Sequence, residues 1–513
     1  LNGPGRYSPA FYPDRALNRR NLVLSNMLKH GFISQSQYID ARGKPLDVKI
    51  VLNENLVTTD DIAPYYTEYI RQELENMQSQ YGFDLYRDGL TVYTSLNTTA
   101  QSIADKVVKE QLEVQQRVAN SRYRNRSSRI QLLESFRSIP LDTISTLVEN
   151  EVYMDSLLNK NNTVQTGFVS MDLNNGYVIA YIGGRDFNSY KWNIPIQSAR
   201  QPGSVFKPFV YTAAIDNGYP VTHQLLNQDV VIRQPDGTRW APDNYDKSRG
   251  GWTTLREGFR RSLNLISVRL VQEIVPPTEV VKIARKMGIT THIDAVDAIA
   301  LGSSGVKLIE VVSAYSAFPN NGIKVDPVFI TRIEDKYGNV IYEHPQSIRH
   351  EVLSAETAHI MTTMMQSVVQ SGTGQGSHLY YGFKRPAGGK TGTTNEHTDA
   401  WFVGYTPQIV TGIWFGMDNP AVPLGPRQSG AVAALPPWSR YMAAVHDSLA
   451  LPVLEFTRPN GVVELKICNE TKMLAGKYCP DVVTELFNDK YKPTKTCDKH
   501  KLPSDRYKRK RDR

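Results

Sequence analysis

The spacing of apolar positions divides the chain into stretches of different period. Pro13 and Asp14 precede Leu22, Val23, Leu24 and Met27, which predicts a capped amphipathic helix near the start. Tyr65, Tyr66, Tyr69, Ile70 and Leu74 predict a second helix, and residues 90–96 alternate like a strand. Asn97 is placed to cap a helix that runs through Ala100, Ile103, Ala104 and Val107. Residues 110–160 are polar, with a basic cluster at 122–129. Nucleic-acid binding would want interleaved aromatic groups, and only Tyr123 is offered, so a solvated linker is expected here.

Residues 163–445 read as one α/β unit. Apolar runs at 166–172 and 177–182 flank Asn174-Asn175-Gly176, a strong hairpin signal. A helix follows, then loops containing Trp240-Ala241-Pro242-Asp243-Asn244-Tyr245. Helical periodicity returns on both sides of Ser262-Leu263-Asn264, which leaves that triplet on a loop. Strands are predicted around Lys390, over 400–405 and over 408–415. Beyond 450, Pro452, Pro459 and the Asn460-Gly461 turn lead into a short strand at 462–466.

Length and composition narrow this picture. A chain of 513 residues exceeds one compact core, so a few domains are expected, and 40% hydrophobic content with 27 Tyr and 29 Pro suits a folded, loop-rich protein. A net charge of +8 favours an anionic partner, but much of it sits at 506–511 and reads as a solvated basic terminus. No run approaches the roughly 20 apolar residues that span a bilayer. The three cysteines, Cys468, Cys479 and Cys497, allow one disulfide with a free thiol, or no bridge. Zinc held with His500 is the lesser alternative, because the spacing fits no familiar zinc pattern, and no metal or other cofactor is expected.

The candidate chemistry centres on Arg200-Gln201-Pro202-Gly203-Ser204-Val205-Phe206-Lys207-Pro208-Phe209. Pro202 and Gly203 predict a turn and Ser204 the opening of a helix, with Ser204 and Lys207 three residues apart on one face. A serine hydroxyl needs a base, and a lysine serves as one when burial or neighbouring cations keep it neutral. Ser204 at a helix N-terminus would also offer backbone N–H groups to an oxyanion. Ser304-Gly305-Val306-Lys307 repeats the spacing, but reads as a helix cap before Leu308. Only Ser204 is followed in turn by Ser262-Leu263-Asn264 and by Lys390-Thr391-Gly392-Thr393. No H-E-x-x-H or G-x-S-x-G occurs, which disfavours a zinc protease or a Ser-His-Asp hydrolase. His397 reads as a rim residue.

This motif set resembles that of the penicillin-binding proteins. Arg200-Gln201-Pro202-Gly203-Ser204, Gly388-Gly389-Lys390-Thr391-Gly392-Thr393-Thr394 and Asp399-Ala400-Trp401-Phe402-Val403-Gly404-Tyr405-Thr406-Pro407 are similar to the class A, bifunctional subgroup. So are Ala300-Leu301-Gly302-Ser303, Ala314-Tyr315 and Ser371-Gly372-Thr373-Gly374. The resemblance implies an α+β fold, an antiparallel sheet flanked by helices as in β-lactamases and transpeptidases, with a linker domain and a small β-rich C-terminal module. The expected divisions are residues 1–45, the end of a glycosyltransferase domain; 46–162, a linker; 163–450, the transpeptidase domain; and 451–513, the C-terminal module with its basic tail. The glutamate motifs of the glycosyltransferase would lie upstream of residue 1, so the chain reads as a fragment in which glycan polymerisation is not expected. The family's membrane anchor would also precede it, with the enzyme on the extracytoplasmic face of a bacterial membrane.

The resemblance further implies a peptidoglycan D,D-transpeptidase acylated by β-lactams. Ser204 would attack the carbonyl between two D-alanines, Lys207 would take its proton, and Ser262 would relay a proton to the leaving amine. Asn264 would orient the donor and help fix Lys207. Lys390 would supply a positive field, the hydroxyls of Thr391 and Thr393 would hold the terminal carboxylate, and Gly392 would let the substrate approach. Backbone N–H groups of Ser204 and Thr393 would form the oxyanion hole. Partners implied are donor and acceptor stem peptides, β-lactam antibiotics and other cell-wall synthesis or division proteins, with no nucleic acid. A D,D-carboxypeptidase and a β-lactam sensor or scaffold without turnover are the alternatives. A β-lactamase is disfavoured because no glutamate motif follows Asn264.

Overall fold

The computed structural model describes residues 13–46, 62–136, 138–233, 237–345 and 349–501. The basic run at 506–511 lies outside them. The chain divides into two units, Leu1–Asp61 and Ile62–Arg513. In the first, helix α1 (Pro13–Lys29) and helix α2 (Gln35–Gly43) form as the periodicity predicts, and Ser34 closes a capping box with Gln37. Neither helix buries a residue.

The second unit opens with helix α3 (Pro64–Tyr81), strand β1 (Thr91–Thr94) and helix α4 (Thr98–Ser121). Asn97 caps α4 as expected, its side chain accepting from the Ala100 N–H. The stretch expected to be a solvated linker is instead folded. Helices Arg126–Ser135, Ile144–Leu147 and Glu151–Asn161 enclose a small core of Leu133, Ile144, Val148 and Met154. Arg126 pairs with Glu149 at 2.8 Å and Arg129 with Glu151 at 2.7 Å, so part of the basic cluster is neutralised within these helices.

The core of the unit is a five-stranded sheet. Strand β2 (Val164–Asp172) and strand β3 (Val178–Ile182) make the predicted hairpin, with Gly176 at a φ of 77°. The turn Gly203–Phe206 and helix α5 (Lys207–Asp216) follow, then helix α6 (Leu255–Arg260) and helix α7 (Asn264–Glu273). Helix α8 (Leu308–Tyr315) and helix α9 (Ala355–Ser371) lead to strands β4 (Gly388–Thr393), β5 (Asp399–Tyr405) and β6 (Ile409–Met417). Ser304 does not cap α8, where Lys307 holds the cap position; its hydroxyl accepts instead from the Asp294 N–H at 3.0 Å.

The sheet order is β4-β5-β6-β2-β3, antiparallel throughout, which leaves β4 at one edge. Phe168, Ile409, Ile413 and Phe415 pack with Ala104 and Val108 of α4 and with Trp438 and Tyr441 of helix α10 (Leu435–Ser448) in one buried cluster. Full burial of each such side chain is worth about 1.5–3 kcal/mol. On the opposite face, Gly412 lies against Val312 of α8, where a Cβ would come within 2.4 Å of Cγ2. The chain ends in a two-stranded hairpin, β7 (Val462–Cys468) and β8 (Val482–Asn488), docked on α6 through an ion pair of Arg256 and Glu485 at 2.5 Å.

Candidate active site

Ser204 does not open an α-helix. It lies within a 3₁₀ turn, Gly203–Phe206, and α5 begins only at Lys207, with Pro208 in its first turn. Gly203 takes a φ of 53°, and a Cβ there would fall 2.5 Å from the carbonyl oxygen of Thr393. The tighter pitch keeps the expected proximity, because residues three apart eclipse one another in a 3₁₀ turn. Three contacts pin the turn. The Tyr315 hydroxyl donates to the Val205 carbonyl at 2.6 Å, the Trp401 indole donates to the Gln201 carbonyl at 2.8 Å, and Arg200 pairs by backbone with Val306.

The two site lysines are fully buried. Lys207 Nζ donates to the Ser262 carbonyl at 2.8 Å and to Asn264 Oδ1 at 2.9 Å, with Ser262 Oγ at 3.4 Å. Lys390 Nζ donates to Ser262 Oγ at 2.8 Å and to the Thr391 carbonyl at 3.1 Å. Burial holds the Lys207 amine well below the usual lysine range, and the charge of Lys390 pushes it the same way. Burial alone brings Lys390 down to about 7. Two ammonium groups converging on one hydroxyl in a water-poor pocket repel, so loss of a proton from the pair is favoured at neutral pH. Among the described residues no hydrogen bond joins the half-buried Ser204 hydroxyl to Lys207.

Ser262 reaches both amines from a strained backbone. Its φ is 57°, in the turn between α6 and α7, where its N–H donates to the Phe259 carbonyl at 3.0 Å. A non-glycine residue held there costs on the order of 1–3 kcal/mol. The turn is held by a residue whose role the sequence does not show. Asn244, buried in the loop that holds Trp240, accepts from the N–H groups of Asn264 at 2.7 Å and Leu265 at 3.1 Å. Asn264 in turn donates from Nδ2 to the Asp243 carbonyl at 2.7 Å, so its amide links Lys207 to this loop.

The strand residues also make contacts within the protein. Gly392 faces the Ser204 turn, where a Cβ would stand 2.4 Å from the Pro202 carbonyl oxygen and 2.9 Å from Val205 Cγ2; the missing side chain makes room for the turn. The hydroxyls of Thr391 and Thr393 already have partners within the protein. Thr391 Oγ1 lies 2.7 Å from Thr373 Oγ1, and Thr393 Oγ1 accepts from the Gly430 N–H at 3.0 Å. Thr373, Trp401 and Tyr315 stand in segments that carry the family likeness, but their bonds form between distant elements and have no local signature. His397 is half-buried near Tyr245, with ring centroids 6.1 Å apart, and does not touch the lysines.

A serine turn, two buried amines on one hydroxyl, and the edge of an antiparallel sheet make a site suited to acyl transfer. The penicillin binding protein transpeptidase domain family matches residues 166–434, more than half of the chain, and the C-terminal domain family of penicillin-binding protein 1A matches 458–502. The chain belongs to the penicillin-binding protein transpeptidase family, in its class A branch. It is a peptidoglycan transpeptidase. It is 29% identical to penicillin-binding protein 1A of Aquifex aeolicus, covering 93% of this chain and 69% of that one. Identity to penicillin-binding protein 1A of Pseudomonas aeruginosa is 28%, covering 96% and 72%. In fold it is similar to penicillin-binding protein 1A from Haemophilus influenzae, with a TM-score of 0.70 and 23% identity over 96% of this chain and 85% of that one. The PonA1 protein from Mycobacterium tuberculosis, solved in complex with penicillin V, aligns with a TM-score of 0.58 and 23% identity over 76% and 95%.

Proposed function

We propose that the enzyme is a serine-type D-Ala-D-Ala transpeptidase with Ser204 as nucleophile. Ser262 Oγ, lying between two buried amines beside the Ser204 turn, is the observation that carries the reading. With Lys207 neutral, its two N–H bonds are directed at the Ser262 carbonyl and Asn264 Oδ1, and its lone pair is left to take the Ser204 proton. Ser204 Oγ bonds to the carbonyl carbon of the penultimate D-alanine, and the peptide C–N bond breaks. The departing D-alanine amine receives its proton through Ser262, which is re-supplied by the lysines. An incoming amine then loses its proton to the same relay and displaces Ser204 from the ester.

The N–H groups of Ser204 and Thr393 are assigned to the oxyanion, and Lys390 with the hydroxyls of Thr391 and Thr393 to the substrate carboxylate. Thr393 Oγ1 accepts from the Gly430 N–H and keeps its own O–H to donate to the carboxylate, and the Thr391 hydroxyl can do the same while accepting from Thr373. A β-lactam follows the same first step, its ring amide replacing the D-Ala-D-Ala bond. Residues 163–450 are assigned as the transpeptidase domain, 46–162 as an interdomain region whose helix α4 packs on the sheet, and 451–513 as the C-terminal module. Residues 1–45 are assigned as the end of a glycosyltransferase domain. The substrate places the working site on the extracytoplasmic face of the membrane; no described helix is long and apolar enough to cross it. Intact-mass analysis after exposure to penicillin, with peptide mapping, tests the nucleophile. A stable adduct on Ser204 that is absent in Ser204→Ala supports it, and an adduct elsewhere overturns it. Exchange of the terminal D-alanine of a stem peptide for a labelled amine separates transpeptidation from hydrolysis.

A further inference from the structure

We propose that Cys468, Cys479, Cys497 and His500 bind one zinc ion that closes the C-terminal hairpin. The three thiols are free, and their sulfurs converge with the His500 ring, the four ligand atoms lying within 4.8 Å of one another. They come from three separate segments. Cys468 ends β7, Cys479 lies on the connection to β8, and Cys497 and His500 follow β8. The backbone that carries them is ordered by Leu474, which bridges to both Ile467 and Thr496. The Cys468 N–H donates to Met473, and the Cys497 N–H donates to Leu474, both at 2.8 Å. This threading explains why spacing along the chain hides the cluster.

The geometry suits a tetrahedral ion. Nδ1 of His500 lies 3.3 Å from Cys497 Sγ and 3.5 Å from Cys468 Sγ. A zinc ion with bonds of about 2.3 Å to sulfur and about 2.0–2.1 Å to nitrogen sets those edges at roughly 3.5 Å. Nε2 of His500 lies 2.9 Å from the carboxylate of Glu470, which favours the tautomer with its proton on Nε2 and turns the Nδ1 lone pair toward the sulfurs. The Gly476 N–H donates to Cys479 Sγ at 3.2 Å, as amides do to metal-bound thiolates. A disulfide between any two of these cysteines would leave the third thiol and the His500 ring outside the bridge. Three soft thiolates and one imidazole, with all four positions filled by protein, select zinc in a structural role with no open position for catalysis. Such a closure would tie the three segments of the module together where the two-stranded pairing alone does not reach.

Metal analysis of the full chain, purified without chelators, is the test. About one zinc per chain is expected, released by a thiol-modifying mercurial, and cobalt substitution should give the charge-transfer and visible bands of a tetrahedral thiolate site. Cys479→Ser and His500→Ala should abolish the cobalt bands. The milder Glu470→Gln, which keeps all four ligands, should weaken zinc affinity about 10- to 100-fold in competition with a chelator. A metal-free chain with a mapped disulfide between any two of the three cysteines would overturn the proposal, as would cobalt bands unchanged in both ligand variants.

Discussion

Ser262 Oγ accepts a 2.8 Å hydrogen bond from Lys390 Nζ while the carbonyl of the same residue accepts one of 2.8 Å from Lys207 Nζ. One residue thus couples the two amines, and its removal separates a chemical effect from a structural one. Ser262→Ala should slow acylation by a β-lactam about 10²- to 10⁴-fold, measured by stopped-flow with a chromogenic substrate. Ser262→Gly removes the same hydroxyl but relieves the left-handed backbone, so it should be about 1 kcal/mol more stable than Ser262→Ala in thermal unfolding. Equal stabilities would count against the strain.

The lysine pair sets the pH dependence. Folded-state pKa values below the ordinary lysine value mean that acid loads the pair with an extra proton and removes the base. Acylation should fall about tenfold per pH unit as acid protonates Lys207, whose burial beside the Lys390 charge keeps its amine well below the ordinary lysine range. The sign for stability is the same. The unfolded chain holds more protons than the folded one between about 7 and the ordinary lysine value near 10.5, so this pair's contribution to stability rises with pH across that window. Acylation rates and unfolding midpoints measured in parallel from pH 5 to 9 check both.

Asn244 supports the site without reaching Ser204. Asn244→Ala leaves the N–H groups of Asn264 and Leu265 without their acceptor and should destabilise the protein by about 1–3 kcal/mol, with slower acylation. Asn244→Asp keeps the accepting oxygen and should recover part of both. Failure of the aspartate to outperform the alanine would remove the capping role.

Gly392→Ala places a methyl 2.4 Å from the Pro202 carbonyl oxygen. Either β4 or the Ser204 turn must shift, at a cost of about 1–3 kcal/mol, and covalent labelling by a fluorescent penicillin should be slowed even where the protein stays folded.

Much of this was legible from local pattern. The hairpin at Asn174-Asn175-Gly176, the Asn97 cap and the three strands around Lys390 carry their signals within a few residues of one another. Ser204, Lys207, Ser262, Asn264 and Lys390 were marked by their order in the chain, and the fold brings the last four into one hydrogen-bonded cluster beside the Ser204 turn. What local pattern missed depends on long-range contact. A 3₁₀ turn and an α-helix place Ser204 and Lys207 with the same three-residue interval. The core of Leu133, Ile144, Val148 and Met154 is spread over short helices in polar sequence, so no window shows its amphipathicity. The bond of Asn244 to the start of α7 and the convergence of the cysteines join segments that sequence spacing cannot relate.

Among the described residues β4 has a strand neighbour on one side only. An unpaired strand edge is ordinarily a hazard, since any extended segment can add to it. On the function proposed above, that edge beside Ser204 would align a stem peptide through its main chain. Recognition of that kind depends little on the side chains of the guest, so this enzyme should tolerate variation along the stem more readily than a change at the terminal D-alanines.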